Sequence, residues 1–232
     1  MLKGLDVVLK TFAIVPHNIS LYEEAFTHAS YTNEHPQEKD YDRLEFLGDS
    51  ILDMVIADML YAFYPDANSG VLTKMRAVLV EGKTLTDFSE NRFGFSSLVR
   101  YSVGEKANGK FHTHIDEDVF EAFIGACYLD QGYLATRKIL SDIYTPLLSK
   151  AKAYAEKADS KSLLQEYLGG VTIDYVTVSI LNQNTDNVRF IVEARLGTAV
   201  LGRGEGHNSK EAETNAAFDA LQKKVGHAHG TD

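Results

Sequence analysis

Residues 41–52 read Tyr-Asp-Arg-Leu-Glu-Phe-Leu-Gly-Asp-Ser-Ile-Leu, and their spacing predicts a helix with carboxylates along one side. At about 100° per residue, Asp42, Glu45, Asp49 and Asp53 fall within an arc of roughly 80°, while Leu44, Leu47, Ile51 and Val55 face the other way. Helical neighbours three or four positions apart lie about 5–6 Å from each other, where like charges repel. A row of acids with no interleaved lysine has the form of a cation site, and hard divalent metals choose oxygen ligands. The alternative is a solvated acidic face, the usual origin of a charge stripe. Phe46, Met54, Ile56, Met59 and Leu60 make the flanks apolar too, which predicts a buried helix. Carboxylates on a buried helix are paired or metal-bound, so the geometry narrowly favours the metal site.

Outward from this helix, roughly the first 150 residues read mainly as helices. Apolar positions recur at helical spacing through Leu21–Phe26, Leu44–Tyr64, Val71–Phe88, Val119–Leu129 and Leu134–Leu147. Gly- and Pro-bearing stretches at 65–70 and 104–109 punctuate them. The small, charged stretch 151–160 reads as a linker or a frayed helix end. Beyond it the period changes: a helix over Ser162–Leu168, strands over Tyr175–Leu181, Val188–Ala194 and Thr198–Gly202, and a helix over Ser209–Val225 predict a compact α+β unit. The tail from 226 onward is expected to be disordered.

The chain has 232 residues, enough for two small domains, and a formal net charge of −10. That charge alone argues against nucleic-acid binding, because phosphates are neutralised by Lys and Arg, but bound divalent ions invert local charge. No apolar run is long enough to cross a bilayer and the N-terminus does not read as a signal peptide, so no membrane association is expected. The lone Cys127, set in an apolar run, reads as a buried thiol in a reducing cytosol, which makes a cytoplasmic location the expectation.

A second acidic run, Asp116-Glu117-Asp118-Val119-Phe120-Glu121, precedes Ala-Phe-Ile-Gly-Ala. Acids in a first helical turn are explained by the helix dipole, worth about 0.3–1 kcal/mol. Glu121 lies later, beside Ala122, Gly125 and Ala126, small residues that let another helix approach. Glu45 and Asp49 from one helix with Asp118 and Glu121 from another would make a sufficient cage for magnesium. No Ser/His/Asp order with a nucleophile elbow and no zinc spacing competes, and His28, His112 and His114 read as structural or exposed.

Together these segments resemble bacterial ribonuclease III. The resemblance rests on Asp42–Leu52, supported by Ala25-Phe26-Thr27-His28-Ala29-Ser30-Tyr31, Gly70-Val71-Leu72-Thr73-Lys74-Met75-Arg76-Ala77 and Asp118–Ala126. It implies that Glu45, Asp49, Asp118 and Glu121 bind metal, with Asp49 and Glu121 catalytic, and that magnesium, or manganese in its place, is the cofactor. Asp42 stands where many members have Glu, and Ser69 where some have an acid. Both are expected to be second-layer or RNA contacts. Phe46 is expected to insert into a partner subunit of a homodimer.

The last seventy residues resemble a double-stranded-RNA-binding domain, through Ser162-Leu163-Leu164-Gln165-Glu166-Tyr167 and the run Gly202–Ala217. Such a domain reads A-form shape, so Ser162, Gln165, Glu166, Asn208, Ser209 and Lys210 are the expected RNA contacts. The usual lysine cluster is reduced to Lys210 with Asn208 and Ser209, and Asn182–Asn187 lacks the family's Gly-Pro-x-His. The expected architecture is an all-α endonuclease domain over 1–150, a linker over 151–159, an α-β-β-β-α domain over 160–226 and a tail over 227–232. The implied activity is metal-dependent hydrolysis of double-stranded RNA, leaving 5′ phosphates, 3′ hydroxyls and short 3′ overhangs, in processing of ribosomal RNA precursors and other RNAs. A non-cleaving double-stranded-RNA-binding protein would be free to lose the carboxylates, and a phosphohydrolase of small phosphates leaves the C-terminal domain without a role.

Overall fold

A computed structural model describes residues 2–108, 114–183, 185 and 187–228. The chain divides into two compact units, Met1–Ala151 and Lys152–Asp232. The first contains α1 (Leu5–Thr11), α2 (Ile19–Ala25), α3 (Ala29–Glu34), α4 (Asp42–Phe63), α5 (Ser69–Leu79), α6 (Gly82–Thr86), a π-helical turn (Asp87–Arg92), a 3-10 turn (Phe95–Leu98), α7 (Val103–Asn108) and the start of α8 (Ile115–Ala158). Gly132 interrupts α8 with φ 77° and ψ 173°, a conformation in which a Cβ is strained. This break lies between the two helices expected at 119–129 and 134–147.

The helical period dictates the core. Buried Leu44, Ile51, Leu52, Val55, Ile56, Met59 and Leu60 line one side of α4, and Val119, Phe120, Phe123, Ile124 and Cys127 do the same for α8. Phe95 centres an aromatic cluster, 4.9 Å from Phe123 and 5.2 Å from Phe26 between ring centroids. Such pairs add about 0.5–1.5 kcal/mol each beyond the burial itself. Asp130 ties down the chain's beginning: its buried carboxylate accepts from the His17 and Asn18 amides, the Tyr22 hydroxyl and the Gln131 amide.

The helix expected over Val71–Phe88 is broken after Leu79. Val80 and Glu81 leave helical geometry, and the Thr84 hydroxyl donates to the Val78 carbonyl at 3.0 Å, satisfying one of the acceptors a helix end leaves open. Residues 151–158 are helical, with Ala151 and Ala155 buried, so of the two readings of this stretch it is the helix end that the structure shows. Ala, Lys and Glu are strong helix formers even where large apolar residues are missing.

The second unit contains α9 (Ser160–Tyr167), β1 (Asp174–Leu181), β2 (Arg189–Leu196), β3 (Ala199–Gly206) and α10 (Ser209–Ala228). The strands form an antiparallel sheet in the order β1-β2-β3, with Thr177 opposite Val192 and Ala194 opposite Gly202. Leu164, Val192, Ala194, Ala212, Ala216, Ala217 and Ala220 form its core. A Cβ on Gly202, Gly204 or Gly206 would overlap the α10 backbone around Ala220, Ala216 and Ala212, so alternate glycines set how closely the helix lies on β3. That packing extends β3 four residues past the expected end at Gly202. Helix α10 likewise reaches Ala228, beyond the expected start of the tail at 227, and residues 229–232 lie outside the described residues.

Candidate functional site

Helix α4 begins where the Tyr41 carbonyl accepts from the amides of Leu44 and Glu45, each at 2.9 Å. Its buried stripe turns Leu44 and Gly48 toward α8. A Cβ on Gly48 would overlap the Glu121 carbonyl, and one on Gly125 would overlap the Leu44 carbonyl. The two helices therefore meet backbone to backbone, with Glu45 and Asp49 beside the contact on α4 and Asp118 and Glu121 beside it on α8. The small residues near Glu121 serve the role expected of them.

Glu45 and Glu121 feel the acids around them. Burial and then Asp49, Glu45, Asp118 and Glu117 push Glu121 up to about 8, and burial with Asp118, Asp42, Asp49 and Glu117 pushes Glu45 up to about 7. Asp49 is raised by burial and Asp53, with Arg76 opposing, and Asp118 is raised chiefly by burial. Among the described residues no three His, Cys, Asp or Glu side chains converge at ligand distance. The acids are close enough to disturb each other's protonation without meeting at a point. A set of hard oxygen donors whose charges oppose one another fits a divalent cation.

The remaining predicted positions separate. Asp42 opens α4, is exposed, and acts on the cluster through charge. Asp53, placed on the acid stripe by the sequence, pairs with Arg76 of α5 at 3.6 Å, so that end of the row is neutralised. Ser69 is an exposed first residue of α5, whose cap is Asn68, accepting from the Val71 amide at 3.0 Å. Asp116 accepts from the Ser89 and Ser96 hydroxyls, which gives it a structural task at the start of α8. Helix α4 is not buried all round as expected: Phe46 is 77% and Met54 49% exposed, because the core claims only the Leu44–Leu60 stripe. Ordinary core packing within one chain therefore does not account for Phe46.

Two contributors went unread in the sequence. The Tyr41 hydroxyl donates to Asp118 Oδ2 at 3.1 Å across 77 positions, a separation that no local pattern reveals. Glu117, assigned to the helix dipole, adds its charge to Glu45, Asp118 and Glu121 while also pairing with His114. Its place in the 116–118 run was the available signal.

Comparison with known proteins decides what this assembly belongs to. A family model described as ribonuclease-III-like matches residues 18–147, and one for the double-stranded RNA binding motif matches residues 160–224. A protein of Lactobacillus acidophilus named Ribonuclease 3 is 40% identical over 227 residues, covering 95% of this chain and 97% of that protein. The chain belongs to the ribonuclease III family. A Ribonuclease 3 of Listeria innocua is 40% identical over 89% of this chain and 91% of its own length. The solved nuclease domain of ribonuclease III from Campylobacter jejuni, described for flexibility in a region involved in dimer formation, superposes with a TM-score of 0.53 at 30% identity, covering 58% of this chain and 92% of that domain. As a member of this family the chain is an endoribonuclease with a double-stranded-RNA-binding domain. No described helix is long and apolar enough to cross a membrane.

The expected RNA-facing residues of this chain lie on the two helices of the second unit. Ser162, Gln165 and Glu166 are exposed on α9 and line a shallow depression with Gly170. Asn208 caps α10 by accepting from the Glu211 amide at 2.9 Å, and Ser209 donates to Glu213 at 3.1 Å. Lys210 is exposed. Lys161, not singled out in the sequence, is held 2.6 Å from Glu213 and 4.4 Å over the Tyr175 ring.

Proposed function

We propose that the protein hydrolyses double-stranded RNA at the acid cluster between α4 and α8, with Glu45, Asp49, Asp118 and Glu121 holding magnesium or manganese. The observation that carries this reading is the backbone contact at Gly48 and Gly125, which brings two pairs of mutually repelling carboxylates to one place. When bound, a divalent cation supplies the Lewis acidity that activates water and offsets charge on the attacked phosphate. The chain's own part is to keep the four carboxylates at one helix crossing and to assign Asp53 to Arg76, away from the ligand set. The proposal includes products with 5′ phosphates, 3′ hydroxyls and short 3′ overhangs, and a role in processing ribosomal RNA precursors in the cytoplasm, as the family resemblance implies.

Duplex capture falls to Ser162, Gln165 and Glu166 on α9 and to the α10 start at Asn208, Ser209 and Lys210, where helix amides favour phosphate. A homodimer is the working form: Phe46 is too exposed for core packing, and a related nuclease domain is described in terms of dimer formation. Incubation with a long duplex RNA tests the reading. Magnesium-dependent cleavage abolished by EDTA is expected, whereas binding without cleavage under either condition would reduce the protein to an RNA-binding module.

A further inference from the structure

We propose that Tyr41 is a positioning residue for cleavage, locking the Asp118 carboxylate of α8 to the first turn of α4. The inference rests on the metal reading above. Tyr41 is 5% exposed and fixed on several sides. Its amide donates to the Thr27 carbonyl at 2.9 Å, and its ring lies 5.9 Å from that of His28. Its carbonyl accepts from the Glu45 amide at 2.9 Å, and its hydroxyl donates to Asp118 Oδ2 at 3.1 Å. One residue thus joins the backbone of Glu45, through its carbonyl, to the carboxylate of Asp118, through its hydroxyl.

The chemistry of the contact suits that task. A carboxylate has about four lone-pair sites and a phenol supplies one proton, so donation to Oδ2 leaves Oδ1 available to a cation. The donor also selects one orientation of a group that Glu117 and Asp42 otherwise repel. Partners that orient ligands in this way are worth about 10–100-fold in metal affinity or activity. A tyrosine present only to fill the core would contribute through its ring, which phenylalanine supplies equally.

Titration of the full-length protein with MnCl2, followed by calorimetry, separates the two cases. Wild type should bind manganese and Tyr41→Phe should bind it about 10-fold more weakly, with an unchanged melting temperature in EDTA and unchanged affinity for duplex RNA in EDTA. Cleavage by Tyr41→Phe should need about 10-fold more manganese and recover most of its rate at saturation. Wild-type manganese affinity in Tyr41→Phe overturns the proposal, as does a variant that fails to fold or melts lower in EDTA with its affinity intact. A wild-type protein that takes up no manganese would instead remove the metal reading on which the proposal stands.

Discussion

In the N-terminal unit, Glu45, Asp49, Asp118 and Glu121 sit at one helix crossing, and the neighbouring acids together with burial raise the proton affinity of Glu45 and Glu121. In the C-terminal unit, acids of similar number are matched. Lys161 holds Glu213 below its ordinary value, and Lys223 with the Arg203 amide holds Asp219 below its own although burial pushes the other way. Glu193 pairs with Arg195 at 2.6 Å. Burying like charges side by side opposes folding, so that arrangement makes sense where something outside the chain offsets it. Paired charges leave little field of their own, which is why duplex recognition in the second unit must rest on shape and helix amides more than on net charge.

The largest effect should come from removing one charge from the crowded cluster. Glu121→Gln keeps the size of the side chain, and cleavage of a labelled duplex is expected to fall by more than the 10–100-fold typical of an outer partner, with duplex binding retained. Activity near that of wild type would end the contrast between the units as drawn here.

Next in size are two glycine substitutions that act on the same kind of contact in each unit. Gly48→Ala must drive α4 from α8, and Gly204→Ala must drive α10 from β3, because backbone atoms occupy the space in both cases. Overpacking of this kind costs about 1–3 kcal/mol or more. Gly48→Ala should lose the manganese response and cleavage while still capturing duplex RNA. Gly204→Ala should lose capture and keep the manganese response. Both functions failing together in either variant would show that the units do not act separately.

The smallest effect is a slope. Glu45 and Glu121 bind protons up to about 7 and about 8 in the folded chain, against 4.5 when unperturbed. Between those values the folded state holds more protons than the unfolded state, so stability falls as pH rises through that window. The metal-free melting temperature should therefore decline from pH 5 to pH 8, magnesium should remove part of the decline, and Glu121→Gln should flatten it. A flat metal-free profile in wild type would mean that the acids are farther apart in solution.

Much of the fold is legible in the sequence where one period dominates. The apolar stripe from Leu44 to Leu60 and the alternation in β1 and β2 each placed an element to within a few residues. Reading fails where tertiary contact outweighs local preference. Gly202, Gly204 and Gly206 weaken a strand by propensity, yet α10 requires their missing side chains, so β3 runs on through them. The short helices α1, α3 and α7 offer too few turns for a period to register. At the candidate site, the pairing of Glu45 and Asp49 on one helix with Asp118 and Glu121 on another was legible from helical spacing and small residues. Arg76 neutralising Asp53, and Tyr41 reaching Asp118, were not, since both depend on which helix lies opposite.

The Asp130 anchor has a consequence for the order in which the protein is made. Its carboxylate takes the Asn18 amide across 112 positions, and Tyr22 across 108. At roughly 5–20 residues per second on the ribosome, the N-terminal helices wait about 5–20 seconds for the residue that fastens them. During that interval Leu5, Tyr22 and Phe26, all fully enclosed in the finished protein, lack much of their eventual cover. The nascent chain is thus most exposed to aggregation and to chaperones just before α8 leaves the exit tunnel, and the nuclease unit closes only when its last long helix arrives.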